Sequence, residues 1–169
     1  MLQLYCGEGK GKTTAAVGLT VRAAGHGFPV VFAQFLKDGS SGERVVLSAL
    51  PNVQLTPAPE RMKFTFAMSQ EERTAEAARQ TRLFHQAVTL APQEGLLVLD
   101  ELCAALTNHM VPLEEVLSFL DGCPDTLEVV ITGRNPPQAL LDRAGYVTEL
   151  CKRKHPYDQG LGARCGIEW

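Results

Sequence analysis

Apolar positions along the chain form short, mostly apolar runs that alternate with stretches of helical spacing. The apolar runs, which predict strands, lie at 2–6, 29–35, 53–56, 95–101, 127–132 and 146–150. The stretches with helical spacing lie at 12–24, 43–50, 70–91, 102–109, 113–120 and 138–144. Because strands that are buried on both faces are apolar throughout, and because helices separate most of them, the pattern predicts an α/β fold with a mostly parallel central sheet.

Local signals refine this pattern at the helices. The stretch 12–24 is apolar nearly all round, which predicts a buried helix. Ser69 and Glu72 have the spacing of a capping box and predict the start of the long helix, which runs to about Ala91. Residues 57–68 have no periodicity. We therefore expect an irregular segment directly before the capped helix.

Composition limits the class of protein. At 169 residues the chain suits one domain, spanning 1–169, with a single core. The 16 Lys and Arg against 19 Asp and Glu give a net charge of −3, which does not favour binding to nucleic acid. No apolar run has the length of a membrane span, and the first strand begins at Leu2, so we expect no membrane segment and no signal peptide. The 5 widely spaced cysteines predict reduced thiols and a cytoplasmic protein.

A glycine-rich loop joins the first strand to the first helix. Glycines let the backbone turn sharply and direct several N–H groups at one point, and the helix N-terminus adds partial positive charge. Lys12 would reach phosphate oxygens, and the Thr13 hydroxyl would bind the Mg²⁺ that accompanies a nucleotide triphosphate. We therefore predict a phosphate-binding loop made of Gly7, Glu8, Gly9, Lys10, Gly11, Lys12, Thr13 and Thr14.

One position departs from the common form of this motif. That motif has four residues between its first glycine and Gly-Lys-Thr, but Cys6 stands at the first position here, and counting from Gly7 leaves only three. We therefore expect a tighter cradle. The alternative is a glycine-rich turn between a strand and a helix, with solvated lysines.

Two carboxylates end the fourth predicted strand. Asp100 and Glu101 follow an apolar run, and parallel α/β sheets bind ligands at the carboxyl ends of their strands. Together with the loop, they predict a P-loop NTPase-like three-layer sandwich in which Glu101 contacts Mg²⁺ directly and Asp100 supports it. The alternative is that these carboxylates cap the next helix and bind no metal.

Three other segments carry side chains suited to ligand binding. Phe64 and Phe66 lie before the long helix, and in an extended segment both would face the core, which is the alternative to a ligand role. Arg134 follows the fifth strand and offers a cation at the ligand edge, although a surface arginine explains it equally well. His155, taken alone, is better explained as solvated or structural than as catalytic.

Taken together and in this order, these segments resemble the P-loop ATP:corrinoid adenosyltransferases. The resemblance covers nearly the whole chain and rests on several separate motifs, which makes it more specific than the loop alone. The matching segments are residues 7–14, Arg22-Ala23, Gln34-Phe35 with Lys37, Gly42-Glu43, residues 99–102, Thr132-Gly133-Arg134, and residues 147–149, 154–156 and 166–168.

The resemblance implies transfer of the 5′-deoxyadenosyl group of ATP to the Co(I) of a corrinoid, with release of the whole triphosphate. It also implies that ATP lies along the loop in the reverse direction, so that C5′ faces cobalt, and the shortened loop is consistent with this. Lys12 and Lys10 with the loop backbone would hold the triphosphate, and Thr13 with Glu101 would hold Mg²⁺. Since Co(I) is a strong nucleophile, the protein need only position C5′, neutralise the triphosphate and exclude water.

The resemblance assigns a role to the aromatic pair as well. In the family, two aromatic rings displace the axial water of Co(II) and give a four-coordinate ion that is easier to reduce, and the matching residues are Phe64 and Phe66. Phe66 stands where the family usually has Trp, and Arg164 stands where Gln is usual. The family further implies a homodimer and an electron-donating flavoprotein reductant.

Two other functions stay open on the sequence. The first is an ATP hydrolase or small-molecule kinase that cleaves at the γ-phosphate. The second is a nucleotide-dependent switch or binding module without turnover, although the chain has no Asn-Lys-x-Asp guanine signature.

Overall fold

A parallel six-stranded sheet forms the centre of the described chain. The computed structural model describes residues 1–63 and 65–168. Neighbouring strands are parallel at every pairing, and their order is β3-β2-β4-β5-β1-β6. The strands are β1 Leu2–Cys6, β2 Val30–Gln34, β3 Val53–Leu55, β4 Gly95–Asp100, β5 Leu127–Gly133 and β6 Tyr146–Glu149.

Helices cover both faces of the sheet. One apolar cluster joins one sheet face to side chains of α3, α4, α5 and α6, and a second joins the opposite face to α1 and α2. The result is a three-layer α/β sandwich, as predicted. The helices are α1 Lys12–Gly25, α2 Gly42–Leu47, α3 Gln70–Leu90, α4 Leu102–Thr107, α5 Leu113–Asp121 and α6 Gln138–Leu141.

Helix α3 begins as the sequence predicts. The Ser69 hydroxyl accepts from the Glu72 N–H at 3.2 Å, and the Glu72 carboxylate accepts from the Ser69 N–H at 2.9 Å. The reciprocal bonds satisfy two N–H groups that the first turn of a helix leaves without partners. The capping box is therefore confirmed.

The prediction that the first helix is buried is wrong. Within α1, Ala16 and Thr20 are buried, whereas Val21 is 48% exposed. The helix contacts the sheet with one face only, and its other face consists largely of small residues that need little cover. Small residues thus gave α1 an apolar appearance that does not reflect its burial.

The arrangement of the strands brings four carboxyl ends to one edge of the sheet. Gln34 at the end of β2 is in register with Asp100 at the end of β4. Cys6 at the end of β1 is in register with Gly133 at the end of β5. The glycine-rich loop, the acidic pair and Arg134 all follow these ends, so the sheet places them together. No helix in the described residues is long and apolar enough to cross a membrane.

Candidate active site

The glycine-rich loop is closely packed against the end of β6. The Gly9 N–H donates to the Leu150 carbonyl at 2.6 Å. A Cβ at Gly7 or Gly9 would lie 2.7 or 2.5 Å from the same oxygen, and Gly7 and Gly11 have φ values of 100° and 114°. Gly7 and Gly9 have no room for a side chain because the Leu150 carbonyl is so close, and Gly7 and Gly11 have a backbone conformation that favours glycine. The phosphate-loop pattern did not reveal the contact with Leu150.

Lys12 lies across the loop with its ammonium at the loop carbonyls. Its Nζ donates to the oxygens of Gly7 and Gly9, both at 2.8 Å. Burial lowers the pKa of Lys12, and the negative charge of Glu101 opposes that shift. A cation held this way is available to an anion that enters the loop. Of the other predicted loop residues, Lys10 is exposed at the surface.

Asp100 is the centre of the hydrogen-bond network at this edge. It has no exposed surface. Its Oδ1 accepts from the hydroxyls of Thr13 at 2.9 Å and Thr132 at 2.7 Å, and its Oδ2 accepts from Lys37 at 2.9 Å and Gln34 at 3.4 Å. The acid that forms a hydrogen bond with Thr13 is thus Asp100, to which the sequence analysis assigned only a supporting role at the Mg²⁺ site.

Glu101 occupies a different position from its neighbour. It has a φ of 63° at the start of α4, and its N–H donates to the Thr132 hydroxyl at 2.8 Å. Its side chain lines the site cavity. Burial raises the pKa of Glu101, and the adjacent charge of Asp100 raises it further, while Lys37 acts in the opposite direction. Glu101 therefore presents a carboxyl group to the cavity at the sheet edge where Asp100 is fully buried.

The oxygen atoms of this site suit Mg²⁺ that arrives with a triphosphate. Thr13 and Asp100 supply a hydroxyl and a carboxylate oxygen 2.9 Å apart. Among the described residues, no group of three or more His, Cys, Asp or Glu side chains could hold a metal ion. Mg²⁺ commonly uses one or two carboxylates, several waters and substrate phosphates instead of a complete protein cage. The sparse oxygen set fits that mode.

Arg134 lies beside the loop. Its Nη1 forms an ion pair with Glu8 at 2.9 Å, and both side chains are more than half exposed. The preceding Gly133 has a φ of 137°, and a Cβ there would lie 2.7 Å from the Cys103 Cβ. The predicted proximity of Arg134 to the ligand edge is therefore observed, and the glycine turn explains it.

An open cavity of about 900 Å³ extends from the loop toward the irregular segment and the C-terminal region. Its size lies within the range of small-molecule and cofactor sites. The lining groups come from α1, the β2–α2 connection, α2, the start of α4 and two distant segments. They include Thr13, Thr14, Lys37, Glu43, Val46, Met62, Lys63, Thr65, Glu101, Gly166, Ile167 and Glu168.

The aromatic pair is described only in part. Phe64 lies outside the described residues. Phe66 belongs to a short 3₁₀ turn, Thr65–Ala67, and is 84% exposed. The alternative in which Phe66 faces the core from an extended segment is therefore wrong. Its neighbour Thr65 lines the cavity, so this segment reaches the site.

The C-terminal region contributes the far wall of the cavity. Arg164 donates to the Glu168 carboxylate through its backbone N–H at 2.9 Å and through its guanidinium at 2.8 and 3.1 Å. These hydrogen bonds lower the pKa of Glu168 to about 2. The ring of His155 accepts from the Tyr157 N–H at 3.2 Å and caps a short 3₁₀ turn, which fits the structural interpretation of this histidine.

The sequence assigned no individual role to three residues that shape the site, although Lys37 and Thr132 lie in segments that match the family. Lys37 and Thr132 contact Asp100 directly, and Leu150 supports the loop through its carbonyl. Lys37 follows β2, and Thr132 lies near the end of β5. Both therefore lie at the carboxyl edge of the sheet, and this position could have indicated that they belong to the site. The contact with Leu150 depends on the pairing of β6 with β1, which local sequence does not specify.

The whole chain matches one family. The sequence model of the family described as ATP:corrinoid adenosyltransferase BtuR/CobO/CobP matches residues 1–169. The corrinoid adenosyltransferase CobA of Salmonella typhimurium is 37% identical, over 98% of this chain and 84% of that protein. Corrinoid adenosyltransferases of Pseudomonas aeruginosa and Escherichia coli are each 33% identical, over 100% and 98% of this chain and 83% and 84% of those proteins. The chain therefore belongs to the ATP:corrinoid adenosyltransferase family.

Proposed function

We propose that this protein transfers the 5′-deoxyadenosyl group of ATP to the cobalt of a corrinoid. Co(I) donates an electron pair to C5′, a cobalt–carbon bond forms, and the C5′–oxygen bond breaks as the triphosphate leaves with that electron pair. The observation that carries the proposal is the full-length family match. The open cavity supports it, because phosphate-loop residues and the aromatic-bearing segment meet on its walls.

The loop residues would bind and neutralise the triphosphate. We assign this role to Lys12, Lys10, Arg134 and the backbone of residues 7–14. Lys12 already lies within hydrogen-bond distance of two loop carbonyls, so a modest change of its side-chain torsions would bring Nζ to a phosphate. Stabilising the leaving triphosphate is the main electrostatic task when the nucleophile needs no base.

Thr13, Asp100 and Glu101 would hold Mg²⁺ with the nucleotide. The hydrogen bond between Thr13 and Asp100 favours this pair as the protein ligands nearest the phosphates. Glu101 remains a proposed ligand, since it lines the same cavity. When bound, Mg²⁺ supplies positive charge to the triphosphate as the C5′–oxygen bond breaks.

The segment before α3 would bind the corrinoid. We propose that Phe64 and Phe66 exclude water from one face of the corrin and so ease reduction of Co(II) to Co(I). Apolar side chains near the cavity suit a flat macrocycle, because Val46 and Ile167 both line it and are 62% and 57% exposed. Exposed apolar groups of this kind are typical of binding sites.

Four further properties belong to this proposal. We infer that residues 1–169 act as one nucleotide-binding adenosyltransferase domain and that the protein is a cytoplasmic homodimer. A flavoprotein reductant would supply the electron for Co(II). The 5 widely spaced cysteines, a pattern that favours reduced thiols, support a reducing compartment.

The products of the reaction test the proposal. Incubation with Mg²⁺, ATP and chemically reduced cobalamin is expected to give tripolyphosphate and a light-sensitive cobalt–carbon bond. Production of ADP and phosphate alone would identify the disfavoured alternative, an ATP hydrolase or kinase. A Lys12→Ala variant is the control, because it should lose tripolyphosphate formation while the fold, followed by circular dichroism, is retained.

A further inference from the structure

Lys37 is the cation that contacts the buried acid of the candidate magnesium site. Its Nζ donates to Asp100 Oδ2 at 2.9 Å and to Thr13 Oγ1 at 3.3 Å, and it lies 3.9 Å from Glu43 Oε1. Asp100 is fully buried, whereas 28% of the Lys37 side chain is exposed. The ammonium therefore reaches the carboxylate from the cavity, where a nucleotide would enter.

The backbone before Lys37 is held in a conformation that directs it to this place. Leu36 has a φ of 52°, which is unfavourable for a bulky side chain. Its N–H donates to Oε1 of the fully buried Gln80 at 3.3 Å, and the Phe35 N–H donates to the Asp100 carbonyl at 2.8 Å. These two hydrogen bonds hold the backbone of Phe35 and Leu36 and thus maintain the unfavourable conformation directly before Lys37.

The ammonium of Lys37 and Mg²⁺ would compete for the same oxygens. Mg²⁺ binds oxygen at about 2.1 Å, so an ion on Thr13 would lie within roughly 5 to 6 Å of the present position of Nζ. The carboxylate of Asp100 would then face two cations in a buried setting. The nearby Glu43 already interacts with Lys37, and Glu101 with Lys37 and Lys12, so a second cation calls for further negative charge. A triphosphate brings that charge.

We propose that Lys37 is a positioning residue that neutralises Asp100 until nucleotide arrives. With nucleotide bound, its ammonium would move from Asp100 to the triphosphate and leave the oxygens of Asp100 and Thr13 free to hold Mg²⁺. Lys37 thereby couples metal binding to nucleotide binding and keeps Mg²⁺ alone from the site. This inference rests on the proposed nucleotide site, but not on the transfer chemistry.

Metal binding without nucleotide tests the inference. In wild-type protein, Mg²⁺ alone should leave the melting temperature nearly unchanged. Lys37→Met leaves Asp100 without its cation, so Mg²⁺ should raise the melting temperature of that variant. Electron paramagnetic resonance should show that Mn²⁺ binds to Lys37→Met at least about tenfold more tightly than to wild type. Lys37→Arg keeps the charge and should behave as wild type, and adding Asp100→Asn to Lys37→Met should abolish the response.

A second lysine–aspartate pair provides the matched control. Lys152 contacts Asp158 at 3.0 Å, but that aspartate is 51% exposed, so Lys152→Met should not change Mn²⁺ affinity. Equal Mn²⁺ affinity of Lys37→Met and wild type would overturn the inference. If Lys37→Met is unfolded without metal, recovery of its far-ultraviolet circular dichroism on addition of Mg²⁺ supports the inference, and no recovery contradicts it.

The nucleotide site is tested separately on wild-type protein. Stabilisation of wild type by ATP with Mg²⁺ reports that site, and a missing shift would refute the proposed function. The Mn²⁺ measurements contain no nucleotide, so their outcome does not depend on whether the protein binds ATP.

Discussion

Replacing Thr132 by Val tests the hydrogen-bond network that holds the acidic pair. The Thr132 hydroxyl donates to Asp100 at 2.7 Å and accepts from the Glu101 N–H at 2.8 Å, and the side chain is fully buried. Valine has nearly the same shape but neither donates nor accepts. The change therefore removes two hydrogen bonds while it leaves the packing of β5 intact.

The magnitude follows from the two groups that lose their partner. A hydrogen bond to an ionised group contributes about 1.5–3 kcal/mol, and an unsatisfied buried N–H costs about 1–3 kcal/mol. Asp100 keeps the donors Thr13, Lys37 and Gln34, which favours the lower half of that range. We therefore expect the free energy of unfolding to fall by about 3 kcal/mol, which for a chain of this size lowers the melting temperature by about 9 °C.

Thermal unfolding, with circular dichroism as the signal, measures this effect. The matched control is Thr20→Val, since Thr20 is equally buried but its hydroxyl donates only to the Ala16 carbonyl within α1, at 3.0 Å. That substitution should cost about 1 kcal/mol or less. Thr132→Ser should retain most of the stability, because it keeps the hydroxyl.

A loss in Thr132→Val no larger than that in Thr20→Val would refute the network as a source of stability. The nucleotide readout is a second check, because a displaced Asp100 should also weaken the stabilisation of the protein by ATP with Mg²⁺. If ATP with Mg²⁺ still stabilises a strongly destabilised Thr132→Val variant as much as it stabilises wild type, then Thr132 contributes to folding and not to nucleotide binding.

Three further predictions concern the loop, the second acid and the aromatic segment. Gly9→Ala puts a Cβ 2.5 Å from the Leu150 carbonyl oxygen, so it should lower both the thermal stability and the affinity for ATP. The control is Gly18→Ala, which should lower neither, because a Cβ there meets no atom within 4 Å. Burial and the charge of Asp100 raise the pKa of Glu101 above its usual 4.5. Glu101 therefore contributes most to the free energy of unfolding below about pH 4.5, and that contribution declines as the pH rises through the raised pKa. Glu101→Gln should melt at a higher temperature than wild type at neutral pH, and the difference should disappear near about pH 4. Phe66→Ala should retain activity on pre-reduced Co(I) and lose activity on Co(II), measured as adenosylcobalamin formed, and equal loss on both would refute a role in Co(II) reduction.

The sheet and the loop were predictable because their signals are local. Apolar runs mark strands that are covered on both faces, and the glycines before Lys12 mark the turn into α1. The capping box at Ser69 was predictable for the same reason, because both of its hydrogen bonds lie within four residues. Patterns within a few residues thus determined most of the element boundaries.

The contacts of the site were not predictable in the same way. Lys37 meets Asp100 because β2 pairs with β4 and because Leu36 takes a left-handed conformation that its side chain does not favour. The sequence assigned direct Mg²⁺ contact to Glu101 and support to Asp100, and it did not indicate that Thr13 forms its hydrogen bond with Asp100, because that contact depends on which way each side chain points at the end of β4. Burial of α1 was overestimated because composition does not show how many neighbours a helix has.

The hydrogen bond between Gly9 and Leu150 also bears on the order of folding. The two residues are nearly a whole chain length apart, and β6 must pair with β1 before the Leu150 carbonyl can reach the loop. Contacts between such distant parts of a chain form late and slow the folding of the elements that depend on them. During synthesis the loop is made before β6, yet its packing against Leu150 forms only after β6 has been made.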